Sequence, residues 1–306
     1  MNKNKLQAWL YAFRLRTLPL AFSSIITGSS VAFMLNRSSF SWLVFGLCLL
    51  TTLLLQILSN LANDYGDSEK GTDNEDRIGP KRAVQAGMLS FKEIKTGIIV
   101  AVILSLISGS LLIKFALGDA LNVSTLGFFL LGLAAIGAAI KYTVGTGAYG
   151  YMGLGDVFVL LFFGFVGVGG SYYLQAKTVD WAILLPGFTI GAFASGVLNL
   201  NNMRDRISDA KAGKNTLVVK LGAERAKTYH TVLIWLAFMA ALAFAAIRFK
   251  STMQFSFILT LPLFRKHLVS VKRIENPAEF DPFLKQLAIS TFIFSLLFAF
   301  GMMISE

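Results

Sequence analysis

SWLVFGLCLLTTLLLQILSNLANDYGD, residues 41–67, is a membrane-length apolar run that ends in two amides and two carboxylates. WAILLPGFTIGAFASGVLNLNNMRDRISD, residues 181–209, repeats the arrangement. A helix needs about 20 apolar residues to cross a bilayer, and both runs supply them. If the first helix continues through Asp67, then Asn60, Asn63/Asp64 and Asp67 recur every three or four residues and share one face. Asn202, Asp205 and Asp209 repeat that spacing, with Asn199 one turn earlier. Soluble proteins scatter carboxylates over their surface; here they gather twice beside apolar helices. Such oxygen-rich faces suit a hard divalent cation, and Mg²⁺ typically takes one or two carboxylates and leaves positions open for phosphate oxygens.

The rest of the chain continues the pattern. It has 306 residues, is 55% hydrophobic and has mean hydropathy +0.64. The apolar runs predict nine helices, roughly 17–35, 41–62, 94–115, 122–140, 155–174, 181–200, 229–247, 252–264 and 286–304. The eighth is short and carries Pro262. The expected architecture is an all-α integral membrane bundle of nine transmembrane helices, with a central cavity opening to the cytoplasmic side. Residues 1–306 form one polytopic domain. The two acidic stretches read as loops after helices two and six, which suggests an internal pseudo-repeat of helices 1–4 and 5–8. The first apolar segment lacks a small-residue cleavage site, so no removable leader is expected. Leu6, Trp9, Leu10 and Phe13 keep helical spacing before it and predict a short interfacial helix.

A net charge of +11 could suggest nucleic acid, but its distribution excludes that. With the N-terminus in the cytoplasm, only Arg37, Lys114, Lys177, Arg248 and Lys250 face outward, leaving the other 23 of 28 basic residues inside. That asymmetry follows the positive-inside rule and puts both acidic stretches on the cytoplasmic side of the inner (cytoplasmic) membrane. One cysteine, Cys48 within a span, rules out a thiolate cage, and the two histidines, His230 and His267, leave little for zinc.

Basic residues follow each acidic stretch: Arg77, Lys81 and Arg82 after the first, Arg204, Arg206 and Lys214 within or after the second. Together with metal ions they could neutralise a diphosphate. A third segment, Lys141-Tyr142-Thr-Val-Gly-Thr-Gly-Ala-Tyr149-Gly150, contains Gly-x-Gly-x-x-Gly. It follows a membrane helix rather than a strand, so it is not a dinucleotide fingerprint. Tyr142 and Tyr149 could anchor at the interface or present their ring faces to a developing cation.

These motifs resemble the intramembrane aromatic prenyltransferase superfamily, whose members carry Asn-Asp-x-x-Asp after helix two and an acidic stretch after helix six. Several segments look like its 1,4-dihydroxy-2-naphthoate polyprenyltransferase branch: Asn63-Asp64-Tyr-Gly-Asp67 with Gly71-Thr-Asp73, Tyr149-Gly-Tyr-x-Gly-Leu-Gly-Asp156, and Asn202-x-Arg204-Asp205 with Gly213-Lys214. Arg14 and Thr17-Leu-Pro19 also fit. The resemblance runs from about residue 7 to the C-terminus. Where the superfamily often has Lys or Arg four residues after the helix-four tyrosine, this chain has Thr146, and the cation would come from Lys141 or from elsewhere in the chain.

The resemblance implies transfer of a chain from a polyprenyl diphosphate to 1,4-dihydroxy-2-naphthoate, with loss of CO₂ and diphosphate, to give demethylmenaquinol. Asp64, Asp67, Asp73, Asp205 and Asp209 would hold Mg²⁺, for which Mn²⁺ could substitute. Catalysis would fall to Asp64, Asp67, Asp205, Asp209 and Tyr142. Asn60, Asn63, Arg77, Lys81, Lys141, Tyr149, Asn199, Asn202, Arg204 and Lys214 would bind substrate. The lipid bilayer is the only other partner implied, with no obligate protein. Two alternatives are a prenyltransferase for another aromatic acid, such as 4-hydroxybenzoate, and a cation-coupled transporter. Carboxylates at helix ends on one side, rather than at mid-membrane, argue against the transporter.

Overall fold

The computed structural model describes residues 3–72 and 78–305, with side chains from residue 5 onward. The described residues form helices and their connections. The amphipathic α1 (Lys3–Phe13) precedes α2 (Leu18–Leu35), α3 (Trp42–Glu69), α4 (Phe91–Leu117) and α5 (Val123–Lys141). Then come α6 (Gly155–Val159), a π-helical stretch (Leu160–Gly169) and α7 (Gly170–Ala176), which together make one span. α8 (Leu184–Lys211), the short α9 (Leu217–Leu221), α10 (Ala223–Ile247), α11 (Leu261–Arg273) and α12 (Asp281–Met303) complete the chain.

Both acidic stretches lie inside helices rather than in loops. α3 is capped by Ser41, whose side chain accepts from the Val44 amide, and runs through Asp67. The sequence boundary at residue 62 is therefore seven residues short. α8 likewise runs past residue 200 to Lys211. Each helix is 28 residues long. Each is followed by a glycine in the left-handed region, Gly71 at φ +70° and Gly213 at φ +72°, where a side chain would be strained.

Among the described residues, eight helices are long and apolar enough to cross a membrane, against nine expected. The difference lies at 252–264. Thr252–Thr260 is a 3₁₀ helix, and Pro262 sits in the first turn of α11. Its missing N–H is tolerated there, so a new helix begins. α11 then carries Arg265, Lys266, Lys272 and Arg273 on an otherwise apolar frame.

Burial divides the bundle. The spans containing α2 and α8 are mostly buried, whereas α4 and α5 are mostly exposed. α4 and α5 therefore present their apolar surface outward, as lipid-facing helices do. α8, α10, α11 and α12 meet in a packed aromatic core, where the Phe193 ring lies 4.6 Å from Phe264 and 5.1 Å from Phe294. His230 and His267 are buried beside it with their Nε2 atoms 3.0 Å apart. On the other side, α3, α4, α5 and the π-helical stretch enclose a cavity.

Candidate active site

The acidic turns of α3 and α8 face each other. Lys214 Nζ, just beyond the end of α8, lies 3.7 Å from Asp67 Oδ1 and 3.8 Å from Asp209 Oδ1. One buried ammonium thus bridges both turns. Burial pulls its pKa down, but Asp67 and Asp209 outweigh that and raise it, so Lys214 stays charged.

Asp64, Asp67, Asp205 and Asp209 each have a cation within reach. Asp64, 1% exposed, accepts from Arg14 Nη2, from Arg82 Nη1 at 3.2 Å and from the Ala83 amide at 3.3 Å. Asp67 accepts from Tyr151 Oη at 2.8 Å and pairs with Arg82 Nη2 at 3.5 Å. Arg82 thereby spans both acids of α3. Burial lowers its pKa to about 10, still well above neutral. Asp205 takes a bidentate bond from Arg204, Nε at 2.8 Å and Nη2 at 2.7 Å, and the same guanidinium reaches Asp281 at 2.5 Å. Buried carboxylates need such compensation, because an unpaired buried charge is costly.

The amides line the same junction. Asn60 donates to the Phe13 carbonyl at 3.0 Å and to Thr17 Oγ1 at 3.3 Å, while Asn63 Oδ1 accepts from Thr143 at 3.4 Å. Asn202 is buried. Asn199 is fully buried, and neither of its amide atoms has a hydrogen-bond partner among the described residues. An unsatisfied buried polar group costs roughly 1–3 kcal/mol, which a ligand at Asn199 would recover. Among the described residues, no three His, Cys, Asp or Glu side chains gather closely enough to cage an ion. The carboxylates and amide oxygens of the two turns are hard donors, which suit a hard cation that completes its shell with substrate oxygens.

Two cavities flank this centre. The larger, about 380 Å³, starts at Asn60, Asn63, Tyr142 and Tyr149 and reaches Cys48 and Leu174 between largely apolar walls. At its mouth the Tyr142 and Tyr149 rings meet edge to face at 5.3 Å, and Tyr149 stacks on Phe158 at 3.9 Å. Burial, then Asp67, Asp156 and Asp209, raises the Tyr142 pKa, so this phenol stays protonated. The second cavity, about 260 Å³, is cationic and opens beside Asp64, lined by Arg14, Arg16, Lys81, Arg82 and Arg204.

Of the residues expected from sequence, Asp64, Asp67, Asp205, Asp209, Asn60, Asn63, Asn199, Asn202, Arg204, Lys214, Tyr142 and Tyr149 come together here. Lys81 is exposed on the second cavity. Lys141 is exposed, and its ammonium donates to the Thr146 carbonyl at 2.8 Å. Asp73 and Arg77 lie outside the described residues. Sequence reasoning missed Arg14 on Asp64 and Tyr151 on Asp67, and it passed over Arg82 in favour of Arg77. Their partners lie far away in the chain, so no local spacing signals them.

The UbiA prenyltransferase family profile matches residues 21–285. A Haemophilus influenzae protein named 1,4-dihydroxy-2-naphthoate octaprenyltransferase is 49% identical over 99% of this chain and 98% of its own length. The Escherichia coli protein of the same name is 43% identical over 99% and 97%. Among solved structures, a UbiA homologue from Archaeoglobus fulgidus bound to DMAPP and Mg²⁺ superposes with TM-score 0.62 at 17% identity, over 94% of this chain and 98% of that one. With its paired acidic turns, its apolar cavity and a family match along most of its length, this chain belongs to the UbiA prenyltransferase family.

Proposed function

We propose that this protein transfers a polyprenyl chain from its diphosphate to 1,4-dihydroxy-2-naphthoate, with octaprenyl the length in the names of its relatives. The observation that carries the chemistry is the meeting of two acidic helix ends, bridged by Lys214, at the mouth of an apolar cavity. The prenyl tail lies in the larger cavity. From Asn63 to Cys48, α3 rises about 22 Å, shorter than a long polyprenyl chain, so the remainder passes between helices into lipid.

Asp64, Asp67, Asp205 and Asp209, with Asp73 from the adjoining segment, would hold Mg²⁺, and Mn²⁺ offers the same hard-ion chemistry. Bound there, the metal supplies charge neutralisation of the diphosphate. The allylic C–O bond breaks, and its electron pair leaves with the diphosphate. Tyr142 and Tyr149 turn π-faces toward the allylic cation, and the apolar walls exclude water from it. The naphthoate carbon bearing the carboxylate attacks. CO₂ departs, and the C–C electron pair returns to the ring. The product is demethylmenaquinol. The cationic second cavity suits the carboxylate of the incoming acid, with Arg14 and Arg204 as its partners and Lys81 at the rim. Asn60, Asn63, Asn199 and Asn202 orient substrate or metal-bound water.

The paired 28-residue helices, each ending in an acidic turn and a left-handed glycine, support an internal repeat within one domain. Laid end to end, the 3₁₀ run and α11 would reach about 38 Å, enough for a ninth crossing. The charge asymmetry supports an active site on the cytoplasmic side of the inner membrane. To test the acceptor, purified protein is given Mg²⁺, octaprenyl diphosphate and either aromatic acid. Prenylated product should form from 1,4-dihydroxy-2-naphthoate and not from 4-hydroxybenzoate. Comparable rates with both would overturn the acceptor assignment.

A further inference from the structure

Lys70, at the C-terminus of α3, pairs with no carboxylate among the described residues, whereas Arg14, Arg82, Arg204 and Lys214 all do. Its ammonium lies 4.1 Å from the centre of the Tyr151 ring, and Lys214 Nζ lies 5.3 Å from the same centre. Tyr151 is itself fixed. Its hydroxyl donates to Asp67 at 2.8 Å and lies 2.5 Å from Thr72 Oγ1. Two ammonium groups are thus gathered on one aromatic ring beside a carboxylate of the acidic centre. Burial lowers the Lys70 pKa, and repulsion from Lys141 and Lys214 adds to that against the pull of Asp67 and Glu69. Two ammonium groups on one ring can both reach a polyanion that carries several oxygens on a short frame.

We propose that Lys70, seated on the Tyr151 ring, joins Lys214 in binding the diphosphate group of the prenyl donor and the inorganic pyrophosphate left after transfer. This rests on the prenyl-transfer reading above. As the allylic C–O bond breaks, its electron pair adds charge to the leaving diphosphate. The two ammonium groups neutralise that charge without giving up a proton. Lys70 therefore touches the leaving group, and Tyr151 is a positioning residue that holds Lys70 and Asp67 in register.

A lysine at a helix C-terminus also complements the helix dipole, but that role would not affect anion binding. Calorimetric titration of the full-length protein in detergent, with Mg²⁺ and inorganic pyrophosphate, separates the two. Lys70→Gln should weaken pyrophosphate binding about tenfold or more, the usual size of a charge-assisted bond. Lys70→Arg should recover most of the loss, and the thermal midpoint and naphthoate binding should stay at wild-type values in both. Binding of pyrophosphate to Lys70→Gln within twofold of wild type would overturn the proposal, as would a wild-type protein that binds none. Turnover of octaprenyl diphosphate, measured in parallel, judges the prenyl-transfer reading separately. Turnover with an unaltered Lys70→Gln sinks only the Lys70 role; tight Lys70-dependent binding without naphthoate prenylation sinks only the transfer reading.

Discussion

Asp67 is the residue on which most of the site converges, through Arg82, Lys214 and Tyr151. Asp67→Ala and Asp205→Ala should each lower turnover by about 100-fold or more, as removal of a main electrostatic stabiliser does. Membrane insertion should survive, which detergent extraction and size-exclusion chromatography can check. Near-wild-type turnover in either variant would remove these acids from the mechanism. Arg82 predicts a different outcome, because it neutralises two buried carboxylates at once. Arg82→Ala should destabilise the protein by about 1–3 kcal/mol, because Asp64 keeps Arg14 and Asp67 keeps Lys214 but each loses a charged partner, and partial charge neutralisation by Mg²⁺ should restore part of the thermal midpoint. A midpoint indifferent to Mg²⁺ would mean that the ion does not reach these acids. The acids and amides were legible because their spacing follows a helix face. Arg14 and Tyr151 were not, because they meet Asp64 and Asp67 only through tertiary folding across 50 and 84 residues.

Whole helices set where those side chains point. The spans were legible from apolar runs, but their ends were not. Sequence reasoning stopped α3 and α8 where polar residues begin, whereas both helices continue through their acidic turns. Polarity marks the edge of the apolar slab, and the backbone has no reason to stop there until a glycine permits it. The segment at 252–264 misled in the opposite way. Its composition is apolar, yet it is a 3₁₀ run followed by a basic, amphipathic α11. Close packing between helices depends on small residues, as in membrane bundles generally. A Cβ built on Gly28 of α2 would sit 2.1 Å from the Val168 carbonyl oxygen in the π-helical stretch. Gly28→Ala should therefore destabilise the bundle by about 1–3 kcal/mol through overpacking, read as a lower thermal midpoint. An unchanged midpoint would show that the two helices are less tightly apposed than described.

At the scale of the molecule, an apolar bundle carries most of its charge at one end, and the chemistry follows that asymmetry. In a Cys48→Ala background, Ala212→Cys beside the second acidic turn should be shielded from an impermeant external thiol reagent. Ser39→Cys in the opposite loop should be labelled. The reverse pattern would invert the orientation and move the site to the other side of the membrane. Membrane class and the acidic end were evident from composition and motif spacing. The two cavities were not, since their shapes come from helices distant in sequence. Metal-dependent prenyl transfer to the naphthoate should replace its carboxylate. The direct test supplies purified protein with Mg²⁺, octaprenyl diphosphate and carboxyl-labelled 1,4-dihydroxy-2-naphthoate, and measures labelled CO₂ against prenylated product. One CO₂ per product is expected, and neither in EDTA-treated protein. Product that retains the label, or full turnover after EDTA treatment, would contradict it.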